Sequence, residues 1–265
     1  MIEKIFNELK KGYLKNNQLT SFNLFSKNGI INYRVKSNLK KLKKITGKNI
    51  LLIKHSDSGF FQSACIDRTT LHLVSKSIQY FKGKPFDLIL HTPGGDPFSS
   101  IFISRILNQY PSKIRTIIPL YAMSGGTILA MSNSDLYMSN TSCIGPVDPQ
   151  VGNYLGSGSS RIWERILKYK KQKTKDEVIN FAYTGKQYTN SIKKHMEKII
   201  DHKLDKKNKK RFIDLITSGK VEHPFQLTSG ELKKFGFKIK SIPDKWMDLL
   251  IKIVTSSKAN GVGWI

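Results

Sequence analysis

Short apolar runs alternate with amphipathic segments between residues 49 and 144. The runs have the length and composition of buried strands, and the amphipathic segments carry apolar residues at the three- and four-residue spacing of helices. Strands are predicted at residues 49–54, 86–90, 114–120, 135–138 and 142–144. Helices are predicted from residue 69 to Gly83 and over residues 99–110 and 126–131. This alternation implies right-handed βα crossovers and a mainly parallel sheet, which is an α/β fold.

The chain changes character after residue 158. Residues 160–219 are strongly basic and are predicted to be almost wholly helical, and an extended segment follows at 223–228. Thr228 and Glu231 have the spacing of a capping box, which predicts a brief helix ending at Gly236. The predicted order closes with a strand at 237–239, a helix at 246–253 and a loop over 256–265.

Three regions are expected from this pattern. Residues 1–47 are rich in lysine and asparagine and are predicted to form a basic N-terminal arm or outer layer. Residues 48–240 are expected to form the α/β domain with its largely helical C-terminal part. Residues 241–265 are expected to add a C-terminal helix and tail.

The charge of the chain is unusual for its length. The 265 residues include 45 basic and 19 acidic residues, which gives a formal net charge of +26. Such a charge attracts nucleic acid, anionic membranes and acidic proteins. A biased genome composition produces lysine-rich chains equally well. Nucleic acid and anionic membrane are therefore candidate peripheral partners of the basic surface.

Other compositional features narrow the class of protein. The two cysteines, Cys65 and Cys143, lack the spacing of metal ligands, so neither a metal nor a cofactor is predicted. The first ten residues carry acids and lack the apolar core of a signal peptide, and the most apolar stretch, 116–131, is short for a membrane span. The predicted location is the cytoplasm.

Candidate chemistry centres on two glycine pairs, each of which follows a predicted strand. Ser124 stands at a strand-to-helix turn directly before Gly125, and such a turn lifts a nucleophile out of the sheet edge. The earlier pair, Gly94 and Gly95, lets backbone N–H groups approach a reacting carbonyl. The pattern predicts acyl transfer, most readily peptide hydrolysis. The simpler interpretations are a helix N-cap at Ser124 and plain glycine turns.

Four segments resemble the serine dehydrogenase proteinase family of the Clp-protease and signal-peptide-peptidase group. They are His91–Asp96, Ala122–Thr127, Ile144–Gln150, and His223–Thr228 followed by Glu231 and Gly236. The resemblance covers roughly residues 48–240. It implies a ClpP/crotonase-like fold and an ATP-independent serine peptidase that acts on extended or unfolded polypeptide and forms homo-oligomers. The sequence has no Gly-x-Gly-x-x-Gly turn for a dinucleotide, so nothing in it indicates a dehydrogenase.

The resemblance also implies site residues. Ser124 is the expected nucleophile, and Gly125 with Gly95 or Gly94 is expected to form the oxyanion hole. Where Clp proteases carry their histidine, this chain has Asp148, and an aspartate with an ordinary pKa is a poor base for a serine hydroxyl. Related archaeal membrane-associated proteases use a lysine on a later helix, and Lys168 matches it.

Lys168 is therefore the preferred general base. It must be neutral to accept a proton, and nearby positive charge lowers a lysine pKa. Basic neighbours are abundant in this segment, at Arg165, Lys170, Lys171 and Lys173. Lys170, Lys171 and His223 are the alternative bases. Asp148 is a candidate to orient the base or a substrate amide, and otherwise Asp148 and His223 are turn- or loop-fixing residues.

Two other classes of function stay open at this point. A ClpP-fold protein that has lost catalysis would act as a binding protein or scaffold, and its basic surface would suit nucleic acid or a membrane. A crotonase-like acyl-CoA enzyme would use the same pair of backbone donors, but such enzymes do not need a serine at the turn. The position of Ser124 therefore favours the peptidase.

Overall fold

A computed structural model describes residues 33–55, 65–133, 135–153, 156–169, 175–256 and 261–265. Residues 1–32 of the predicted arm lie outside this range, as do Lys170, Lys171 and Lys173. The strands are β1 (Asn49–Lys54), β2 (Phe86–His91), β3 (Ile114–Ile118), β4 (Tyr121–Ala122), β5 (Asp135–Met138), β6 (Cys143–Ile144), β7 (Gln150–Asn153), β8 (Gly156–Ser159), β9 (Leu227–Thr228), β10 (Ile239–Ser241) and β11 (Gly261–Trp264).

The helices cover most of the remaining described chain. They are α1 (Tyr33–Thr46), α2 (Arg68–Phe81), α3 (Pro97–Asn108), α4 (Gly125–Ala130), α5 (Ser160–Tyr169), α6 (Asp176–Ile199), α7 (Lys206–Thr217), α8 (Ser229–Lys234) and α9 (Asp244–Val254). The predicted helices in the first half appear as α2, α3 and α4. The helical region after residue 158 appears as α5, α6 and α7.

The central sheet has six strands in the order β10-β5-β3-β2-β1-β11. All neighbouring pairs are parallel except β1 with β11, which is antiparallel. A mainly parallel sheet is covered by helices on both faces, and β2 is accordingly buried at all six positions. The predicted mainly parallel α/β fold is confirmed.

Side chains of the central strands alternate between two cores. Leu51 and Leu88 point to the face covered by α2, α3 and α4, whereas Leu52 and Ile89 point to the face covered by α1 and α9. Alternation follows from the two-residue period of a strand. The sheet is therefore packed on both faces, and the loops at the carboxyl ends of its strands extend from a rigid scaffold.

One prediction about the end of the chain needs correction, and the structure adds detail to the N-terminal region. The tail predicted as a loop contains β11, which pairs with β1 and covers that edge of the sheet. The described part of the predicted arm, α1, is a helix whose Val35, Leu39 and Leu42 are buried in the second core. Three of its lysines, Lys40, Lys41 and Lys44, are exposed while its apolar stripe is buried, so this part of the predicted arm or outer layer packs against the sheet.

Two smaller sheets lie beside the main one. Strands β4, β6 and β9 form one, so the predicted strand at 142–144 belongs to it and not to the central sheet. Strands β7 and β8 form a hairpin. In the described parts of the chain, no helix is both long and apolar enough to cross a membrane.

Candidate active site

Ser124 occupies the turn between β4 and α4. Its backbone has φ 49° and ψ −119°, a conformation that is strained for a residue with a Cβ. The side chain makes no capping hydrogen bond to the helix that follows, so the N-cap interpretation lacks its defining contact. Strained turns of this kind aim a nucleophile away from the sheet. Ser124 lines a cavity of about 220 Å³.

The two glycine turns are in close contact with Ser124. A Cβ placed on Gly94 would lie 2.6 Å from Ser124 Cβ and 2.9 Å from the backbone nitrogen of Gly125. A Cβ placed on Gly125 would lie 2.3 Å from Ser100 Oγ. Gly94 therefore needs to be glycine, for close approach to the backbone at 123–125 and for its positive φ of 110°, and Gly125 is packed tightly against Ser100.

The predicted oxyanion donors differ in their hydrogen bonds. Gly94 N–H donates to Thr92 Oγ1 at 3.1 Å, so this N–H is already engaged. Gly95 and Gly125 both line the cavity beside Ser124. Gly125 is the first residue of α4, and the first N–H groups of a helix have no partner within it. The geometry thus favours Gly95 over Gly94 as the partner of Gly125.

Asp148 and His223 meet at the other side of the same cavity. Asp148 is buried, with 1% of its side chain exposed, and its Oδ1 lies 2.9 Å from His223 Nδ1. Gln150 Nε2 donates to Asp148 Oδ2 at 2.9 Å. A carboxylate that accepts from Nδ1–H selects the tautomer in which Nε2 is an acceptor. The arrangement supplies a histidine with a lone pair on a partly exposed ring, and sequence reasoning did not single out Gln150.

The Asp148 segment is hydrogen-bonded to the helix that follows Ser124. Gly145 N–H donates to Thr127 Oγ1 at 3.1 Å, and Val147 N–H donates to Ile216 O at 2.7 Å. These bonds hold the loop between β6 and β7 against α4 and α7. The cavity between these elements is lined by Pro93, Gly95, Pro97, Ser124, Gly125, Ile128, Val147, Asp148, Pro149, Gln150, Ile192 and His223.

Lys168 lies elsewhere in this structure. It is an exposed residue near the end of α5 and is not among the residues that line the cavity. The alternatives Lys170 and Lys171 lie outside the described residues. The structure therefore brings Ser124, Asp148 and His223 together around one cavity and does not bring Lys168 to it.

Other titratable groups serve the scaffold. Burial lowers the pKa of Lys203 to about 7, and its amine donates to Met131 O and, at 2.8 Å, to Asn133 O, just beyond the end of α4. A cation at a helix C-terminus is stabilising.

His91, the last residue of β2, has its ring centroid 4.2 Å from that of Tyr121. Among the described residues, no cluster of His, Cys, Asp and Glu has the make-up of a metal site.

The comparisons with known proteins define the class. The chain belongs to the ClpP-like SDH-type serine proteinase family, whose sequence model matches residues 66–258. This confirms the resemblance and the ClpP-like assignment of the fold. It also makes the chain a member of a family of serine peptidases.

Two uncharacterized proteins of Methanocaldococcus jannaschii are similar to the chain. MJ0137 is 30% identical over 170 residues and MJ1495 is 32% identical over 167 residues, which is 64% and 63% of this chain. The chain spans 58% and 56% of the length of these relatives.

Two solved structures are similar in fold at low sequence identity. ClpP1 from Listeria monocytogenes aligns with a TM-score of 0.47 and 10% identity, over 80% of this chain and 98% of its own. A mutant of the 1510-N membrane-bound stomatin-specific protease, in complex with a substrate peptide, aligns with a TM-score of 0.46 and 18% identity. That alignment covers 71% of this chain and 74% of the protease.

Proposed function

We propose that the chain is a serine endopeptidase in which Ser124 is the nucleophile and His223, held by Asp148, is the general base. The observation that carries the proposal is the single cavity lined by all three residues. The hydrogen bond between Asp148 and His223 leaves Nε2 of the imidazole as the proton acceptor. This assignment replaces Lys168 as the preferred base because Lys168 is exposed and does not line the cavity.

The proposed reaction proceeds in two halves. Ser124 Oγ attacks the scissile carbonyl while His223 Nε2 takes its proton, and the N–H groups of Gly95 and Gly125 stabilise the oxyanion that forms. The imidazolium then donates the proton to the departing amine, which leaves an acyl-enzyme on Ser124. Water, deprotonated by His223, then attacks the ester. The imidazolium returns the proton to Ser124 Oγ as the ester C–O bond breaks, which releases the second peptide and regenerates the serine.

The proposed substrate is extended or unfolded polypeptide, hydrolysed without ATP. A cavity of about 220 Å³ admits roughly one side chain, so most of the affinity would come from pairing of the peptide backbone with an exposed strand edge. Assembly into a homo-oligomer and a cytoplasmic location remain predictions. So does the peripheral binding of nucleic acid or anionic membrane by the basic surface.

The test uses fluorophosphonate labelling and hydrolysis of unfolded casein. Wild type is compared with Ser124→Ala, His223→Gln and Lys168→Ala. Exposed residues that do not line the cavity provide matched controls, His72→Gln for the histidine and Lys186→Ala for the lysine. Loss of labelling in Ser124→Ala, and a loss of roughly 10²-fold or more in His223→Gln alone, is the expected result.

The other outcomes have distinct meanings. Activity lost in Lys168→Ala and kept in His223→Gln would return the base to Lys168. Wild-type protein that is folded but neither labels nor hydrolyses from neutral to alkaline pH would refute the peptidase. The scaffold hypothesis would then be examined by nucleic-acid and lipid binding, and the acyl-CoA hypothesis by retention of CoA.

A further inference from the structure

The oxyanion turn is anchored by two buried side chains outside the predicted site residues. Thr92 is wholly buried at the end of β2, and its Oγ1 accepts the Gly94 N–H at 3.1 Å. The same oxygen lies 2.9 Å from Nδ1 of His55, which follows β1 and is 2% exposed. One hydroxyl therefore connects the glycine turn to a second strand of the central sheet.

The far side of the turn is fixed by the segment that precedes α2. Ile66 N–H donates to Gly94 O at 2.7 Å, and Asp96 N–H donates to Ile66 O at 2.7 Å. In a trans peptide the carbonyl and the following N–H point in opposite directions. With Gly94 O held towards Ile66, the N–H of Gly95 is turned the other way, to the side on which Gly95 lines the cavity.

Thr92 also sets the distance between the turn and the nucleophile. Its carbonyl accepts the Met123 N–H at 2.9 Å, and its N–H donates to Tyr121 O at 3.3 Å. A Cβ on Gly126 would lie only 2.6 Å from Thr92 Cγ2, so the threonine methyl group is packed against the start of α4. Thr92 thus contacts both halves of the oxyanion hole.

We propose that Thr92 and His55 are positioning residues that hold the Gly94–Gly95 peptide in the orientation needed for oxyanion stabilisation. This inference rests on the proposed function. Neither side chain touches substrate, and both act through the backbone of the turn. Burial lowers the pKa of His55 to about 4, so the ring is neutral near pH 7 and bonds to Thr92 without placing a charge beneath the site.

The hydroxyl is tested by Thr92→Val, which keeps the shape and removes the oxygen, with Thr92→Ser as the rescue variant. We expect Thr92→Val to lower kcat by roughly 10-fold or more with KM within about twofold, because the turn binds the transition state and not the ground state. A peptide aldehyde, whose adduct places an oxygen in the same hole, should lose affinity in parallel. Thr92→Ser should restore most of kcat and of the aldehyde affinity.

His55→Asn keeps a polar group near the position of Nδ1 and His55→Leu removes it, so the pair provides a second comparison if Thr92→Val does not fold. His55→Leu should reproduce the loss in kcat, and His55→Asn should retain more activity. Unchanged kcat in Thr92→Val, or a loss that Thr92→Ser does not repair, would overturn the proposal.

A readout that needs no catalysis separates this inference from the proposed function. Amide hydrogen exchange at Gly94, followed by NMR on protein labelled with 15N-glycine, should accelerate in Thr92→Val and remain slow in Thr92→Ser. If the wild type lacks hydrolysis, accelerated exchange in Thr92→Val would keep the anchor while the peptidase is refuted. Equal exchange in Thr92→Val and wild type would refute the anchor whatever the activity.

Discussion

Gly94→Ala is the sharpest test of how tightly the glycine turn is packed against the nucleophile. The new Cβ would lie 2.6 Å from Ser124 Cβ and 2.8 Å from Met123 O, whereas ordinary contacts begin at 3.4 Å. Relieving the first contact requires the turn and Ser124 to move apart by about 0.8 Å. A misplacement of about 1 Å in reacting groups costs on the order of 10²-fold in rate, or about 2.7 kcal/mol in the barrier.

The backbone conformation adds a separate cost that a control removes. Gly94 has φ 110°, so alanine there is strained by about 1–3 kcal/mol in the folded state. Gly47 has φ 67° with nothing within 4 Å of its Cβ position, so Gly47→Ala introduces positive-φ strain without a contact at the site. Both variants should lose thermal stability, and only Gly94→Ala should lose activity.

The assay is kcat and KM for casein-derived peptides, with the rate of fluorophosphonate labelling measured beside it. Gly94→Ala that remains folded should lose about 10²-fold in kcat and in the labelling rate. Wild-type kcat in folded Gly94→Ala would refute the close packing argued for the two turns. An equal loss of activity in Gly47→Ala would show that general destabilisation is responsible.

Two further predictions concern stability. Asp87 is wholly buried and accepts two hydrogen bonds from Arg115, at 2.6 and 2.7 Å. Asp87→Asn should therefore lower the free energy of unfolding by about 3–5 kcal/mol. The exposed control Asp248→Asn should change it by less than about 0.5 kcal/mol. Equal denaturant midpoints for the two variants would contradict this. Burial, aided by Arg105 and Lys198, lowers the pKa of His195 to about 4, so the unfolded chain binds a proton that the folded chain does not between pH 6.5 and 4. Stability should fall as pH falls through this window, and His195→Gln should reduce the slope by about one proton. An unchanged slope in urea titrations would exclude that role.

Local features of the site could be predicted from the sequence because they depend on neighbours in the chain. The strand-to-helix turn at Ser124 and the glycines behind it are specified by adjacent residues. Adjacent residues also specify the helix caps. Asp96 Oδ2 accepts from Ser99 N–H at 2.8 Å, and Thr228 and Glu231 form a capping box. The apolar runs likewise predicted the central strands, since burial on both faces requires continuous hydrophobic residues.

The sequence by itself therefore determined the alternating strands and helices between β1 and β6, the family, and the turn that presents Ser124. The tertiary structure decided which polar groups meet. Asp148 and His223 are 75 residues apart, and Thr92 and His55 are 37 apart, so no local spacing indicates either pair. The strand β11 was missed for the same reason, because its short Gly-Val-Gly-Trp sequence pairs with β1 from the opposite end of the chain. Residue spacing predicts a helix or a turn because the contacts within these elements are local. Partners that are tens of residues apart come together only when the sheet and its helices pack.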